Sequence, residues 1–253
     1  MQWDPSNKIH PSVLVGPDVQ MGLGNTIGPH CVLNGPIHLG NYNRLNTGVL
    51  LEGNVKIGHD NQFFPYVCIG QAGEMGAKRD VIPSGGWIQI GNNCVVREYV
   101  NIHAPVRTEA TVLEDDCYIM SKAYLAHDVR IGKGAILSAG VLIGGRGQVG
   151  AFANIGMGAV IHQRSAVGQG AMIGMQAAVK RDVPPYCVAV GVPARILKFN
   201  RLAAERMGFQ GSDLDIIQGN FKAILSGAFE QDHPIVTAIR TFLQEYPEAL
   251  RNL

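Results

Sequence analysis

LAHDVR IGKGAI LSAGVL IGGRGQ VGAFAN IGMGAV, residues 125–160, divides into blocks of six, each opening on Leu, Ile or Val. The frame runs unbroken from Leu113 to Val179 and from Val15 to Ile69, with Ile90, Val96 and Ile102 between them. A helix repeats its apolar stripe near 3.6 residues, so a strict period of six means a short strand and a turn in every hexad. Three hexads, 18 residues, make one triangular coil, and coils stack through parallel-sheet hydrogen bonds about 4.8 Å apart. The inward Val, Ile and Leu then form a continuous core, each coil serving as hydrogen-bond partner for the next. The pattern predicts an all-β solenoid of about eight coils across residues 10–190, assigned to a domain of residues 1–190. The frame breaks near 70–89 and 103–112, where loops are expected to leave corners of the solenoid without disturbing the stacking.

After DVPPY (182–186) the hexads stop and the spacing turns helical. Ser212 with Asp215 reads as a capping box before Leu214, Ile217, Phe221 and Leu225, with Gly227 as a stop. Pro234 suits a first helical position ahead of Ile235, Ile239 and Phe242. Residues 191–253 are therefore expected to form a helical C-terminal domain.

Composition narrows the function. The chain has 253 residues, 46% hydrophobic and 16% charged, with a net charge of +1. Such balance gives no general case for nucleic-acid binding. Five scattered cysteines without a CxxC pair indicate neither a disulfide framework nor a cysteine zinc site, which fits a reducing cytoplasm. The polar start MQWDPSNKIHPS and the lack of an apolar run of about 18 residues support neither export nor membrane spanning.

Residues 18 apart share a corner on successive coils, which places His127, Gly145 and Gln163 in one column, each two positions after its inward aliphatic. His127 thus faces out of the core. Imidazole titrates near neutrality and suits a general base, Asp128 can hold its tautomer, and Gly145 leaves a backbone N–H open to an oxyanion. An ordinary solvated corner explains the same column equally simply, since the chain has eight histidines. A metal site is a weaker reading: Lys122 and Tyr124 stand where a second close imidazole would be needed, leaving only His103 and His162 as further donors. From Lys180 to Arg206, six basic residues face two acidic ones. That excess suits a nucleoside diphosphate or an acidic carrier protein, or simply a solvated junction.

Together the hexads, IHPSVLVG near the start, NIHAP (101–105), LAHD (125–128), IHQ (161–163), DVPPY and ERMGF (205–209) resemble the acyl-carrier-protein-dependent UDP-N-acetylglucosamine O-acyltransferases of lipid A biosynthesis, over nearly the whole chain. The resemblance implies a left-handed parallel β-helix, a homotrimer with active sites between subunits, and no cofactor. It implies that His127 deprotonates the sugar 3-hydroxyl for attack on an acyl thioester, with Asp128 orienting it and the Gly145 N–H holding the oxyanion. His162 and Gln163 match a substrate-contacting pair. Asn200 and Arg206 match positions that engage acyl chain, carrier or phosphates, and Lys78 loosely matches a lysine on the sugar nucleotide. Met175 falls where chain length is set, implying a medium-length acyl group, plain or 3-hydroxylated.

The sequence also departs from the family pattern. Tyr124 and Arg146 stand where substrate-facing histidines are usual, and Leu202 and Met207 where polar or charged residues are. GVPAR (191–195) resembles the tail of coenzyme A-dependent hexapeptide acetyltransferases. These departures keep open a related enzyme with an acyl-CoA donor or a 3-amino sugar acceptor. A non-catalytic or metal-dependent β-helix fits the residues less well.

Overall fold

The computed structural model describes residues 3–74, 85–229, 231–247 and 249. From Lys8–Ile9 to Cys187–Val190 the chain winds through short parallel strands, mostly two residues long. In each pair the second residue points inward, partly buried in Ile9 and Val15 at the open first end and buried from there on, as in Tyr124–Leu125 and Leu142–Ile143. The strands form three sheets of 11, nine and eight members, here the first, second and third faces of a triangular solenoid. Partners on adjacent coils are 18 residues apart, Leu14 with Val32 and Leu142 with Val160 among them. The hexad spacing is thus the register itself.

Corners turn through a residue in the left-handed region, the third after the inward aliphatic, and many of these are not glycine: Asp60, Tyr66, Asp128 and Arg146 all have φ near +60°. A polar ladder supports one corner. Buried Asn25, Asn43 and Asn61 stack so that each side-chain oxygen accepts the next backbone N–H, at 2.9 Å for Asn43 and 3.0 Å for Asn61. The amide groups of Asn25 and Asn43 also donate to the carbonyls of Gly40 and Gly58. Buried backbone groups at that turn are satisfied without water.

The solenoid is longer than the expected eight coils, because rungs form outside the clearest hexads. Ten parallel strands stack on the first face, beginning at Lys8. Both excursions leave the corner between the second and third faces. The register lengthens to Gln62 with Val95 across the first and Asn101 with Tyr124 across the second. They end sooner than expected: Trp87–Ile90 and Ala110–Leu113 are already strands. Residues 75–84 of the first, with Lys78, lie outside the described residues.

Residues 191–200 are not helical. Arg195–Phe199 folds back antiparallel on Cys187–Val190 and closes the edge of the first face. Helices follow: α1 (Arg201–Arg206), α2 (Ser212–Gly219), α3 (Phe221–Leu225) and α4 (Pro234–Glu245). Ser212 is not a capping residue. It lies inside α2, whose N-cap is Gly211, and no side chain caps that end. Pro234 does open α4, where His233 Nδ1 accepts the Ile235 N–H at 3.1 Å. Gly227, with φ +76°, follows α3. Leu214, Ile217, Ile224, Ile235 and Ile239 are buried together. The end of α4 reaches the third face, where Tyr246 Oη donates to Gln148 Oε1 at 3.2 Å.

Candidate active site at the His127 corner

His127 sits where the chain turns from the second face to the third, one coil above the stem of the second excursion. Its Nδ1 is 2.7 Å from Asp128 Oδ2, with 13% of the imidazole and none of the carboxyl exposed. A carboxylate only accepts, so Nδ1 carries the proton and Nε2 keeps a free lone pair.

The excursion exists, locally, to hold Asp128. Backbone N–H groups of Val106, Arg107 and Thr108 donate to Oδ1 at 3.0, 3.1 and 2.9 Å, and Thr108 Oγ1 donates at 2.7 Å. Thr111 Oγ1 accepts the Asp128 N–H at 3.0 Å. Burial pushes this carboxyl upward, but the hydrogen bonds from His127, Thr108 and Arg107 outweigh it and hold it at about 2. Asp128 is therefore a fixed anion behind the imidazole.

Gly145 lies on the next coil. A Cβ there would sit 2.5 Å from His127 Nε2, so only glycine leaves the ring its place. Its φ is outside the left-handed region, and its N–H makes no hydrogen bond among the described residues. From the side, the stem of the first excursion closes in: a Cβ on Gly73 would lie 2.7 Å from both His127 Cβ and Val106 Cγ2. The site thus offers a base with a free Nε2, a buried counter-anion and a free backbone donor one coil higher.

Residues 110–145 match the bacterial transferase hexapeptide family (six repeats). The chain is 33% identical over 249 residues to an acyl-(acyl-carrier-protein):UDP-N-acetylglucosamine O-acyltransferase of Thermodesulfovibrio yellowstonii, covering 98% of this chain and 95% of that one. It is 37% identical to the enzyme of the same name from Paraburkholderia phytofirmans, covering 86% and 83%. The chain belongs to this acyltransferase family. The crystal structure of the UDP-N-acetylglucosamine O-acyltransferase LpxA from Moraxella catarrhalis shares the fold, with TM-score 0.82, 21% identity and 96% of each chain covered.

The remaining candidate residues of this acyltransferase fall in three places. Tyr124, Arg146, His162 and Gln163 share the His127 corner or the strand leading to it. Tyr124 Oη donates to Glu74 Oε2 at 3.0 Å, and burial followed by that hydrogen bond pushes its phenol up to about 12. Asn200 and Arg206 lie instead at α1, lining a cavity of about 760 Å³ with Phe152, Met172, Leu202 and Met207. The Asn200 side chain is occupied by the fold: Nδ2 donates to the Gly170 carbonyl at 2.9 Å and Oδ1 caps α1. Met175, 77% exposed, stands at the corner between the first and second faces with Met157. The second face carries Leu142 and Val160 exposed between that corner and His127.

Two contributors escaped the sequence reading: Thr108 and Glu74 belong to the excursions, which have no period to place them. His103, weighed in the sequence only as a metal donor, packs its ring edge-on against Tyr124 at 4.9 Å. Burial pushes its imidazole down, and its buried Nδ1 has no hydrogen-bond partner among the described residues. Among the described residues, no three His, Cys, Asp or Glu side chains converge as a metal site. No helix of the described residues is long and apolar enough to cross a membrane.

Proposed function

We propose that the chain moves an acyl group from an acyl-carrier-protein thioester to the 3-hydroxyl of a UDP-N-acetyl amino sugar, with His127 as general base. Nε2 removes the hydroxyl proton as the oxygen attacks the thioester carbonyl. The Gly145 N–H receives the resulting oxyanion, and Asp128 stabilises the imidazolium. Collapse breaks the C–S bond, and the carrier thiolate recovers the proton from His127, leaving ester and thiol. The chemistry calls for no cofactor, because the activated acyl group arrives with the carrier.

The observation that carries this reading is the free His127 Nε2 beneath the unoccupied Gly145 N–H. Exposed Lys180, Arg195 and Lys198 offer a basic surface to an acidic carrier, whereas Arg201 is engaged by Glu205 and Asp215. Arg206, His162 and Gln163 are assigned to the substrates, as is Lys78. The apolar side chains outward on the second face, Leu14, Leu142 and Val160 among them, suit burial between subunits of a homotrimer. Met175 is assigned to limiting the acyl chain to medium length. Action in the cytoplasm accords with five free cysteines and a carrier-bound donor.

A second reading, a 3-amino sugar as acceptor, draws on Glu74, whose carboxylate beside Tyr124 suits an ammonium group. The test is a panel of acyl-carrier-protein and acyl-CoA donors against UDP-N-acetylglucosamine and its 3-amino analogue. Ester formed only from the carrier-bound donor supports the proposal. Transfer confined to acyl-CoA, or to the amine, overturns it in favour of the alternative.

A further inference from the structure

The His127 corner continues upward as a ladder of charge. At the third position after the inward residue, successive coils carry Asp128, Arg146 and Arg164, with φ of 63°, 63° and 65°. The Arg146 N–H donates to the His127 carbonyl at 2.9 Å, and the Arg164 N–H to the Gly145 carbonyl at 3.0 Å. These two arginines therefore stand one and two coils above the base, both exposed. No carboxylate among the described residues pairs with either guanidinium, in contrast to Arg97 and Arg201, whose partners are Glu98, Glu205 and Asp215. Asp128 below is consumed by the excursion that wraps it. Asp182, one coil above Arg164, accepts the Ala166 N–H at 2.7 Å.

Like charges at one corner of neighbouring coils, stacked about 4.8 Å apart, repel, so the free protein bears a cost that an anion lying between them would remove. We propose that Arg146 and Arg164 form a clamp for the diphosphate of the acceptor. This rests on the reading of the acceptor as a nucleoside diphosphate sugar, and adds which groups of the solenoid hold its charge. The spacing fits. When O3 of a pyranose meets His127 Nε2, the anomeric phosphate lies across the ring, about one coil spacing away, and the second phosphate, joined through one bridging oxygen, is closer to the first than one coil spacing, so the long side chains one and two coils above the base can both reach the pair. Two planar guanidinium forks match two phosphates through paired, charge-assisted hydrogen bonds, which lysines in their place would not make.

The test is calorimetric binding of UDP and of inorganic pyrophosphate to the 253-residue chain at low salt, with Arg146→Gln, Arg164→Gln and a distant control, Arg44→Gln. Each clamp variant is expected to weaken UDP binding about ten- to a hundredfold and to raise KM for UDP-N-acetylglucosamine with little change in kcat, while the control binds as wild type. Unaltered UDP binding in both clamp variants, with transfer to UDP-N-acetylglucosamine intact, overturns the clamp and leaves the acceptor reading standing. If the wild type acylates no UDP-sugar, that reading falls and pyrophosphate decides the clamp: binding weakened in both variants supports it, and binding absent or unaltered overturns it.

Discussion

At the scale of single residues, the proposed mechanism depends on Gly145 for space as much as for its N–H. Its φ lies outside the left-handed region, so alanine costs the backbone little, yet the added methyl would meet His127 Nε2 at 2.5 Å. Gly145→Ala should lower kcat by about a hundredfold or more by displacing base and oxyanion donor together, with the melting temperature held near wild type. Activity close to wild type would show that the imidazole works from another position. Here the sequence was legible, because residues 18 apart must share a corner once the hexad period is recognised, and His127 and Gly145 are 18 apart. What it could not show was that the imidazole stands directly beneath the glycine.

At the scale of elements, the second excursion is a brace for Asp128, and this ties stability to pH. The carboxyl sits at about 2 in the folded chain, below its ordinary 3.8. A depressed carboxyl contributes its full stabilisation above the unfolded value and loses it as pH falls through the folded one. Thermal melts should therefore show wild type losing part of its stability between about pH 4 and pH 2, with Asp128→Asn losing less over that window. Identical acid profiles for the two proteins would mean that the loop does not hold the carboxylate as its geometry indicates. Thr108 and the three N–H groups that create this brace were not foreseeable: an excursion has no repeat, and a side chain is found by period only where a period exists. The same limit explains Arg195–Phe199. Five residues outside the hexad frame carry too short a pattern to separate strand from helix, and only the open sheet edge beside them selects the strand.

At the scale of the whole molecule, the proposed mechanism sets two tasks at different corners of the solenoid. The proposed base, His127, stands at the corner between the second and third faces, and Met157 and Met175 at the corner between the first and second. An acyl chain starting at His127 has the apolar second face, with Leu142 and Val160, on its way to Met175. Met175→Gly should shift donor preference toward longer acyl chains, read as kcat/KM across a series of carrier-bound donors, with the fold undisturbed because the side chain is 77% exposed. An unchanged preference would remove Met175 from the control of chain length. The parallel architecture itself followed from a core repeated every six residues, whereas the assembly that would bring second faces together left only a trace, exposed apolar side chains where the other faces carry Lys8, Arg44, Lys56 and Arg130.

The central claim, that His127 is the proton acceptor of an acyl transfer, is tested most directly by comparing turnover of wild type and His127→Ala with carrier-bound acyl donor and UDP-N-acetylglucosamine, both saturating, alongside melting temperature. The account predicts a fall in kcat of about 10²- to 10⁴-fold with the solenoid intact. A variant that folds as wild type and turns over within tenfold of it would contradict the claim.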